Sequence, residues 1–376
     1  MGKGKEMQCP RCNKANASEN RYCAHCGALL KGTAGLASEP AMGSSAAPAT
    51  PCLATSCEAV EGTEVMLAAI AANGVQKLFF NGGTDNYHFM EYVAKFKALG
   101  RATPDLVMTT HEHTGLCAAT GYFQWTRQPQ LLLLHTALGT IQPGAAWDEA
   151  WRTRAGIVAL AGSVGQTTKD ELAYATRGGI QFSQEVYSQE TILGPYAKWA
   201  YKIERPENAA LIINRAFQMA GSEPCGVSYL TYPLEVAQAP LGQGLVYDPA
   251  DFALANLGEG DSSAIREAAK LLVQAKNPVV LVKGMGRHAE AVPHLIRLVE
   301  KLALPIVSFD KYMNFPKSHW ANSTPGLNGR DVILVIDNDV PWTTSDPPKT
   351  TRIINLDADP IQSQYPYRST HPAFVR

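Results

Sequence analysis

Residues 111–140 read HEHTGLCAATGYFQWTRQPQLLLLHTALGT. A glutamate, Glu112, stands between His111 and His113 at the head of a segment of small and aromatic residues. The unbroken apolar run Leu131–Leu134 follows, and then small residues with Gly139. An apolar run entered from a helix and left through a turn reads as a strand of a parallel sheet covered on both faces. The same alternation recurs on either side. EVMLAAIAANGV (64–75) is predicted to be an amphipathic helix that stops near Gly74. KLFFNGG (77–83) is a strand running into a glycine turn, and DLVMTT (105–110) is a strand whose following helix begins near Glu112. QLLLLHT (130–136) leads through the turn ALGTIQPG (137–144) to the helix-like AAWDEAWRTR (145–154). GIVALAG (156–162) and PCGVSYLTYP (224–233) complete five predicted strands of an α/β domain over 61–240.

Such sheets bind ligands beyond the carboxyl ends of their strands. The turns NGGTDN (81–86), THEH (110–113) and ALGTIQ (137–142) all leave strand ends, so they should converge on one rim. Glu112 then has three readings. It is a carboxylate favoured by a helix dipole, worth under about 1 kcal/mol. It joins His111 and His113 around a metal, although neighbours on a helix point in different directions and zinc-binding histidines are usually four apart. Or it is a buried acid holding a cofactor, which requires small residues and glycine turns nearby; both are present.

The stretch 111–140, together with GIVALAGSV (156–164), QFSQEVYSQE (181–190) and EPCGVSYLTYPLEVA (223–237), resembles the pyrimidine-binding domain of thiamine-diphosphate enzymes of the acetolactate synthase type. The resemblance covers residues 63–237. It implies that Glu112 is the catalytic, cofactor-binding acid, hydrogen-bonded to N1′ of the aminopyrimidine ring. Such an acid shuttles the proton between ring tautomers, and a buried carboxyl with a raised pKa suits that task. The resemblance further implies that Gly82 and Gly83 lie against the pyrimidine, and that Gly139 and Gln142 approach the reacting centre. Ala137-Leu138-Gly139 departs from the usual Gly-Pro-Gly there. His113 stands where acetolactate synthases often have glutamine, and Gln184 and Lys198 fall at substrate-channel positions; packing or solvent exposure would account for these equally well. The adjacent His-His pair of pyruvate decarboxylases is absent, which points away from simple decarboxylation to an aldehyde.

Residues 241–376 alternate again: AIREAAKLLVQAK (264–276), NPVVLVKGMG (277–286), HLIRLVEKLA (294–303), LPIVSFD (304–310), DVILVIDND (331–339) and TRIINLDADP (351–360). This resembles the Rossmann-like central domain of the same family, which holds FAD in some members, the ADP part of coenzyme A in others, and nothing in many. GMGRH (284–288) is too weak a motif to claim a nucleotide. His288 and the acids of DND and DAD read as loop and strand-end residues. The family's diphosphate signature, Gly-Asp-Gly followed by paired asparagines, is absent from the sequence. A diphosphate needs a cation and its oxygen ligands. The resemblance therefore implies either a split, hetero-oligomeric enzyme whose Mg2+ is held by a partner subunit, or a piece of a longer chain with the same chemistry and no split. The expected activity is C–C lyase or carboligase chemistry on 2-oxo acids. The alternatives are a 2-hydroxyacyl-CoA lyase or acyl-CoA carboligase subunit, or a non-catalytic assembly subunit.

At the amino end, Cys9, Cys12, Cys23 and Cys26 form C-x2-C-x10-C-x2-C. Two such knuckles can present four thiolates to one structural Zn2+, whose binding would supply the folding energy of so short a module. Residues 1–30 are read as a zinc ribbon. Residues 31–60, rich in Ala, Ser, Gly and Pro, are read as a flexible linker. Cys117 and Cys225 are expected to be small buried residues. The 376 residues carry a net charge of −1 and are 45% hydrophobic, with no basic stripe, no signal peptide and no span-length apolar run. The expectation is a cytoplasmic α/β protein of two doubly wound parallel-sheet domains that binds neither nucleic acid nor membrane.

Overall fold

A computed structural model of the protein describes residues 6–8, 15–17, 374–375, and 55–363 apart from 170, 176, 256, 310–311 and 343–345. The chain divides into two units, Met1–Pro51 and Cys52–Arg376. In the first, β1 (Glu6–Gln8) pairs antiparallel with β2 (Ala15–Ala17). Cys9, Cys12, Cys23 and Cys26 lie outside the described residues, as does linker segment 31–54.

The second unit begins with β3 (Thr55–Glu61), α1 (Gly62–Ala72), β4 (Lys77–Phe80), α2 (Tyr87–Ala98), β5 (Asp105–Met108), α3 (Glu112–Thr126) and β6 (Gln130–Leu134). It continues with α4 (Thr136–Ile141), α5 (Ala146–Arg152), β7 (Ile157–Ser163), α6 (Gly179–Gln184), β8 (Ala197–Lys202), α7 (Ala209–Gly221), β9 (Val227–Pro233), α8 (Leu234–Ala237) and β10 (Pro240–Val246). Then come α9 (Ser262–Gln274), β11 (Val279–Val282), α10 (Val292–Leu302), β12 (Ile306–Ser308), β13 (Val332–Ile336), β14 (Arg352–Leu356) and β15 (Phe374–Val375).

The first sheet is parallel and six-stranded, in the order β5-β4-β6-β7-β9-β8. All five expected strands are in it. The sixth, β8, has no apolar run because it is an edge strand with alternating exposure. Successive side chains of a strand point to opposite faces, so residues two apart share one. Leu78, Phe80, Leu131, Leu133, Val158 and Leu160 therefore pack with Val65 and Ile70 of α1 and Ile213 and Phe217 of α7. Phe79, Leu132, Leu134 and Ala159 pack on the other face with Leu116, Ala119 and Phe123 of α3 and Trp147 of α5. Each such fully buried side chain contributes roughly 1.5–3 kcal/mol.

Two features depart from expectation at the start of this domain. Residues 55–60, expected in the linker, belong to β3, which pairs antiparallel with β10, so the first domain also reaches past residue 240. That ribbon covers α1, which is consequently buried on nearly every side rather than amphipathic. The cover is close: a Cβ at Gly244 of β10 would lie 2.2 Å from Val65 Cγ2.

The second sheet is also parallel, in the order β12-β11-β13-β14-β15. Leu272 of α9 and Leu295 and Val299 of α10 cover the face carrying Val280, Val282, Leu334 and Ile336. The face of Val279, Leu281, Ile333 and Val335 is met by loop residues, including Leu327 and Trp342. Among the described residues the expected wrapping by helices on both faces therefore holds for the first sheet only. No described helix is long and apolar enough to cross a membrane.

Candidate functional site

The turns after β4, β5 and β6 do converge. Glu112 is the first residue of α3, immediately beyond β5, and is 8% exposed. It does not cap its own helix. His111 does so, with Nδ1 accepting the His113 N–H at 3.1 Å. The other ends of these histidines hold the segment after α4: His111 Nε2 lies 3.0 Å from Gln142 Nε2, and His113 Nδ1 lies 2.9 Å from the Pro143 carbonyl. His113 and Gln142 thus brace the rim, one on each side of the segment. Among the described residues no cluster of three or more His, Cys, Asp or Glu could hold a metal.

Gly139 lies inside α4; the expected turn 137–144 begins as a short helix. A Cβ there would sit 3.5 Å from Glu112 Oε1, so the carboxylate rests on a bare stretch of backbone. No described residue donates a hydrogen bond to that carboxylate. The residue as a whole is buried, but its carboxylate oxygens are not among the wholly enclosed polar atoms, so they keep an opening at the rim. Gly83 has no room for a side chain: its Cβ would lie 2.4 Å from His135 Cγ, whereas Gly82 is open.

His135 and Asp85 belong to the site, although neither stands out in the sequence. His135 follows β6, and its Nδ1 bonds to Asp85 Oδ1. Asp85 is 1% exposed, and its Oδ2 accepts the Thr136 N–H at 3.3 Å. The Asp85 hydrogen bond raises the His135 pKa above its ordinary value, burial opposes this, and the charges of Asp85 and Glu112 add to the rise. Gln184 joins from α6, with Nε2 3.0 Å from His135 Nε2. The signals available were a polar residue ending an apolar strand and an acid closing the NGGTDN turn.

Lys198 does not belong. It lies on β8 beside the start of β9, at the amino end of the sheet and so opposite the rim. Its Nζ donates to the Ser222 carbonyl at 2.7 Å, and burial holds its pKa below the ordinary lysine value. Cys117 is exposed, contrary to expectation, whereas Cys225 is buried.

The carboxyl ends of β11, β13 and β14 face the first domain and are filled with charge. Arg154, 7% exposed, reaches Asp359 at 3.5 Å, Asp357 at 3.8 Å and Gln362 Oε1 at 3.0 Å. Arg287 bridges Asp337 at 2.8 Å and Glu223 at 3.5 Å, and Glu223 also takes Arg127 at 2.8 Å. His288 Nε2 lies 3.7 Å from Glu223. The space left among them is about 20 Å³, room for a water rather than a nucleotide.

Residues 60–189 match the family described as thiamine pyrophosphate enzyme, N-terminal TPP binding domain. Glu112 and its rim lie within that match. The chain is 30% identical over 207 residues to the acetolactate synthase large subunit IlvG of Mycobacterium tuberculosis, covering 54% of this chain and 35% of that one. Against the acetolactate synthase of Bacillus subtilis it is 23% identical over 246 residues, covering 65% and 40%. The match to the Arthrospira platensis acetolactate synthase, 22% identical, covers 81% of this chain and 54% of the other. These matches therefore span between about a third and just over half of each relative's length. Among solved structures, benzoylformate decarboxylase from Polynucleobacter necessarius shares the fold with a TM-score of 0.63 at 19% identity, over 82% of this chain and 57% of that one. The 4-hydroxybenzoylformate decarboxylase of Rhodococcus jostii gives 0.63 at 21% identity, over 81% and 57%.

Proposed function

We propose that this chain supplies the pyrimidine half of a thiamine-diphosphate site in a C–C lyase or carboligase acting on 2-oxo acids or related carbonyl compounds. The observation that carries this reading is Glu112: a buried carboxylate on the bare backbone of Gly139, with no donor of its own. Such an acid fits a ring nitrogen that carries or accepts a proton. When bound, the cofactor would supply a carbon nucleophile and an electron sink for the substrate. Glu112 would hold or move the proton at N1′, Gly82 would leave room for the ring while Gly83 makes room for His135 behind it, and His111, His113 and Gln142 would keep the rim in place.

The Mg2+–diphosphate grip we assign to a partner subunit, seated on the apolar rim. Met108, Leu138 and Ile141 flank the site at 76%, 56% and 55% exposure. The second domain serves as a spacer locked to the first, because its crevice is filled by its own ion pairs; this speaks against the coenzyme A alternatives. His135 favours a second reading of the reaction, protonation of the product carbon in 2-oxo acid decarboxylation. For the amino-terminal module we propose a structural Zn2+ on Cys9, Cys12, Cys23 and Cys26. The β1–β2 pairing supports this, because it brackets Cys9 and Cys12 between paired strands.

The test is reconstitution with a diphosphate-domain polypeptide, followed by measurement of cofactor C2 proton exchange. Glu112→Gln should slow exchange by about 10²–10⁴-fold, the usual worth of a general acid–base group, while the complex still assembles. Exchange at the wild-type rate in the variant removes Glu112 from this role. Assays for acetohydroxy acid and for aldehyde product separate the two reaction readings. For the zinc, Cys9→Ser with Cys23→Ser should abolish bound metal.

A further inference from the structure

The geometry points to Asp85 as a positioning residue for His135: its buried carboxylate fixes the imidazole with Nδ1 protonated, leaving Nε2 as the nitrogen that exchanges a proton in the reaction. This rests on the reading of the Glu112 rim as the place of chemistry, and it concerns a residue pair that the sequence did not bring forward.

Three observations support it. First, the pair occupies space cleared for it. A Cβ at Gly162 would lie 1.7 Å from Asp85 Oδ2, and one at Gly83 would lie 2.4 Å from His135 Cγ. Second, the backbone is held out of its ordinary range beside them. Thr136, a β-branched residue, has φ 46°, and its N–H points at Asp85 Oδ2. Such residues rarely adopt this conformation unless their surroundings impose it. Third, His135 is the only described cationic partner of Asp85, whose side chain is 2% exposed. A buried carboxylate is costly unless paired, so the pairing favours the imidazolium.

Gln184 completes the arrangement. Its Nε2 meets His135 Nε2, and its Oε1 is buried without a partner. With neutral His135, the amide N–H donates to the bare Nε2. With the imidazolium, a half-turn of the amide lets Oε1 accept the Nε2–H. Either protonation state is satisfied, so Gln184 acts through His135 rather than as an independent substrate contact. The charged groups facing His135 are Asp85, from the turn after β4, and Glu112, from α3; both are acidic, and α6 contributes only the Gln184 amide. In the step itself, Nε2–H passes its proton to a basic atom of the substrate and the nitrogen keeps the electron pair. The reverse step restores it, with no redox change.

The test is a pH titration of the full chain, 15N-labelled at histidine, by long-range 1H–15N correlation, with His135→Gln to assign the signals. In the wild type, neutral His135 should carry its proton on Nδ1. In folded Asp85→Asn, its titration midpoint should shift downward. A neutral Nε2–H tautomer in the wild type overturns the proposal, as does an unmoved midpoint in the folded variant. If the variant fails to fold, the wild-type tautomer decides alone. The readout needs no cofactor, so its failure is separable from that of the Glu112 reading: normal C2 exchange with the wrong tautomer sinks only the Asp85 role. In the reconstituted enzyme, Asp85→Asn should lower kcat more than KM and displace the pH limb of kcat, whereas a purely structural defect would leave that limb in place.

Discussion

Gly162→Ala puts the geometry of the site to a quantitative test. A methyl group on Gly162 would stand 1.7 Å from Asp85 Oδ2, 2.5 Å from its Cγ and 2.9 Å from its Cβ. Ordinary contact lies near 3.5–4 Å, so the carboxylate must retreat by about 2 Å. The strand cannot yield instead. β7 is fully buried between β6 and β9, and Gly162 is registered against Tyr232, itself 1% exposed. A displacement of that size breaks the Asp85–His135 bond, since hydrogen bonds tolerate only a few tenths of an ångström. Overpacking costs about 1–3 kcal/mol, and an unmatched buried carboxylate costs a similar amount, together about 2–6 kcal/mol. In urea the unfolding midpoint should fall by roughly 1 M or more. The His135 midpoint should fall with it. Gly121→Ala is the control: nothing lies within 4 Å of its Cβ, and it sits within α3. That substitution should stabilise the chain by up to about 1 kcal/mol, the helix preference of alanine over glycine. A Gly162→Ala chain as stable as wild type, with unaltered His135 titration, would refute the close approach and the reasoning built on it.

Other consequences concern the junction and the thiols. Arg154→Met leaves Asp357 and Asp359 buried without their cation and should cost about 3–5 kcal/mol by urea denaturation; wild-type stability would show that the junction does not depend on the pair. Two carboxylates there impose opposite pH dependences. Burial alone would raise Glu223, but His288, Arg287 and Arg127 outweigh it and hold its pKa at about 2, so its stabilisation is present above the ordinary carboxylate range and is lost as pH falls from about 4.3 toward 2. Burial pushes Asp357 up to about 6, so the folded state takes up its proton first and gains stability as pH falls from about 6 toward 4. The sum of these two contributions therefore peaks near pH 4–5, and Asp357→Asn should flatten the gain between about pH 6 and 4 relative to wild type while leaving the loss below it; identical profiles for variant and wild type contradict the Asp357 assignment. Burial holds the Cys225 thiol up at about 11, whereas Cys117 is exposed. Alkylation of the native protein followed by peptide mapping should label Cys117 and spare Cys225, and equal labelling would contradict the burial of Cys225.

What could be read from the sequence followed from how each element is buried. Strands covered on both faces, such as Leu131–Leu134 and Ile157–Ala161, announce themselves as apolar runs. β8 does not, because an edge strand needs only alternate burial. β3 was hidden in composition: TSCEAVE looks like linker, and it is a strand only because β10, nearly 180 residues later, pairs with it. That pairing also explains α1, whose uniform burial depends on a cover that local periodicity cannot anticipate. At the site, Gly83 and Gly139 came forward only through resemblance, and the fold then brings Gly139 to within 3.5 Å of Glu112 Oε1. Lys198 was misplaced because resemblance fixes a position along the chain but not the end of the sheet on which it falls. Asp85 and His135 come from separate turns, and only the fold shows that they meet.

Two glutamates in the first turns of helices show how a structural acid is told from a reactive one. Glu64 of α1 is 1% exposed and fully answered: Val60 N–H at 3.0 Å, Lys95 Nζ at 2.9 Å and Arg101 Nη1 at 3.0 Å. Although burial works against it, those donors hold its carboxyl below the usual range, so Glu64 stays ionised and ties β3 to α2. Glu112, the first residue of α3 where Glu64 is the third of α1, is 8% exposed and has no such partner. It lies at the positive end of a 15-residue helix, a placement worth about 0.3–1 kcal/mol, and its oxygens stay open at the rim. An acid left open at the edge of a sheet, on the bare backbone of Gly139 and beside a histidine held by its own carboxylate, is available to a partner from outside the chain. On the proposed reading that partner is N1′ of the aminopyrimidine, which accepts a proton from the neutral carboxyl and, once protonated, donates to the carboxylate.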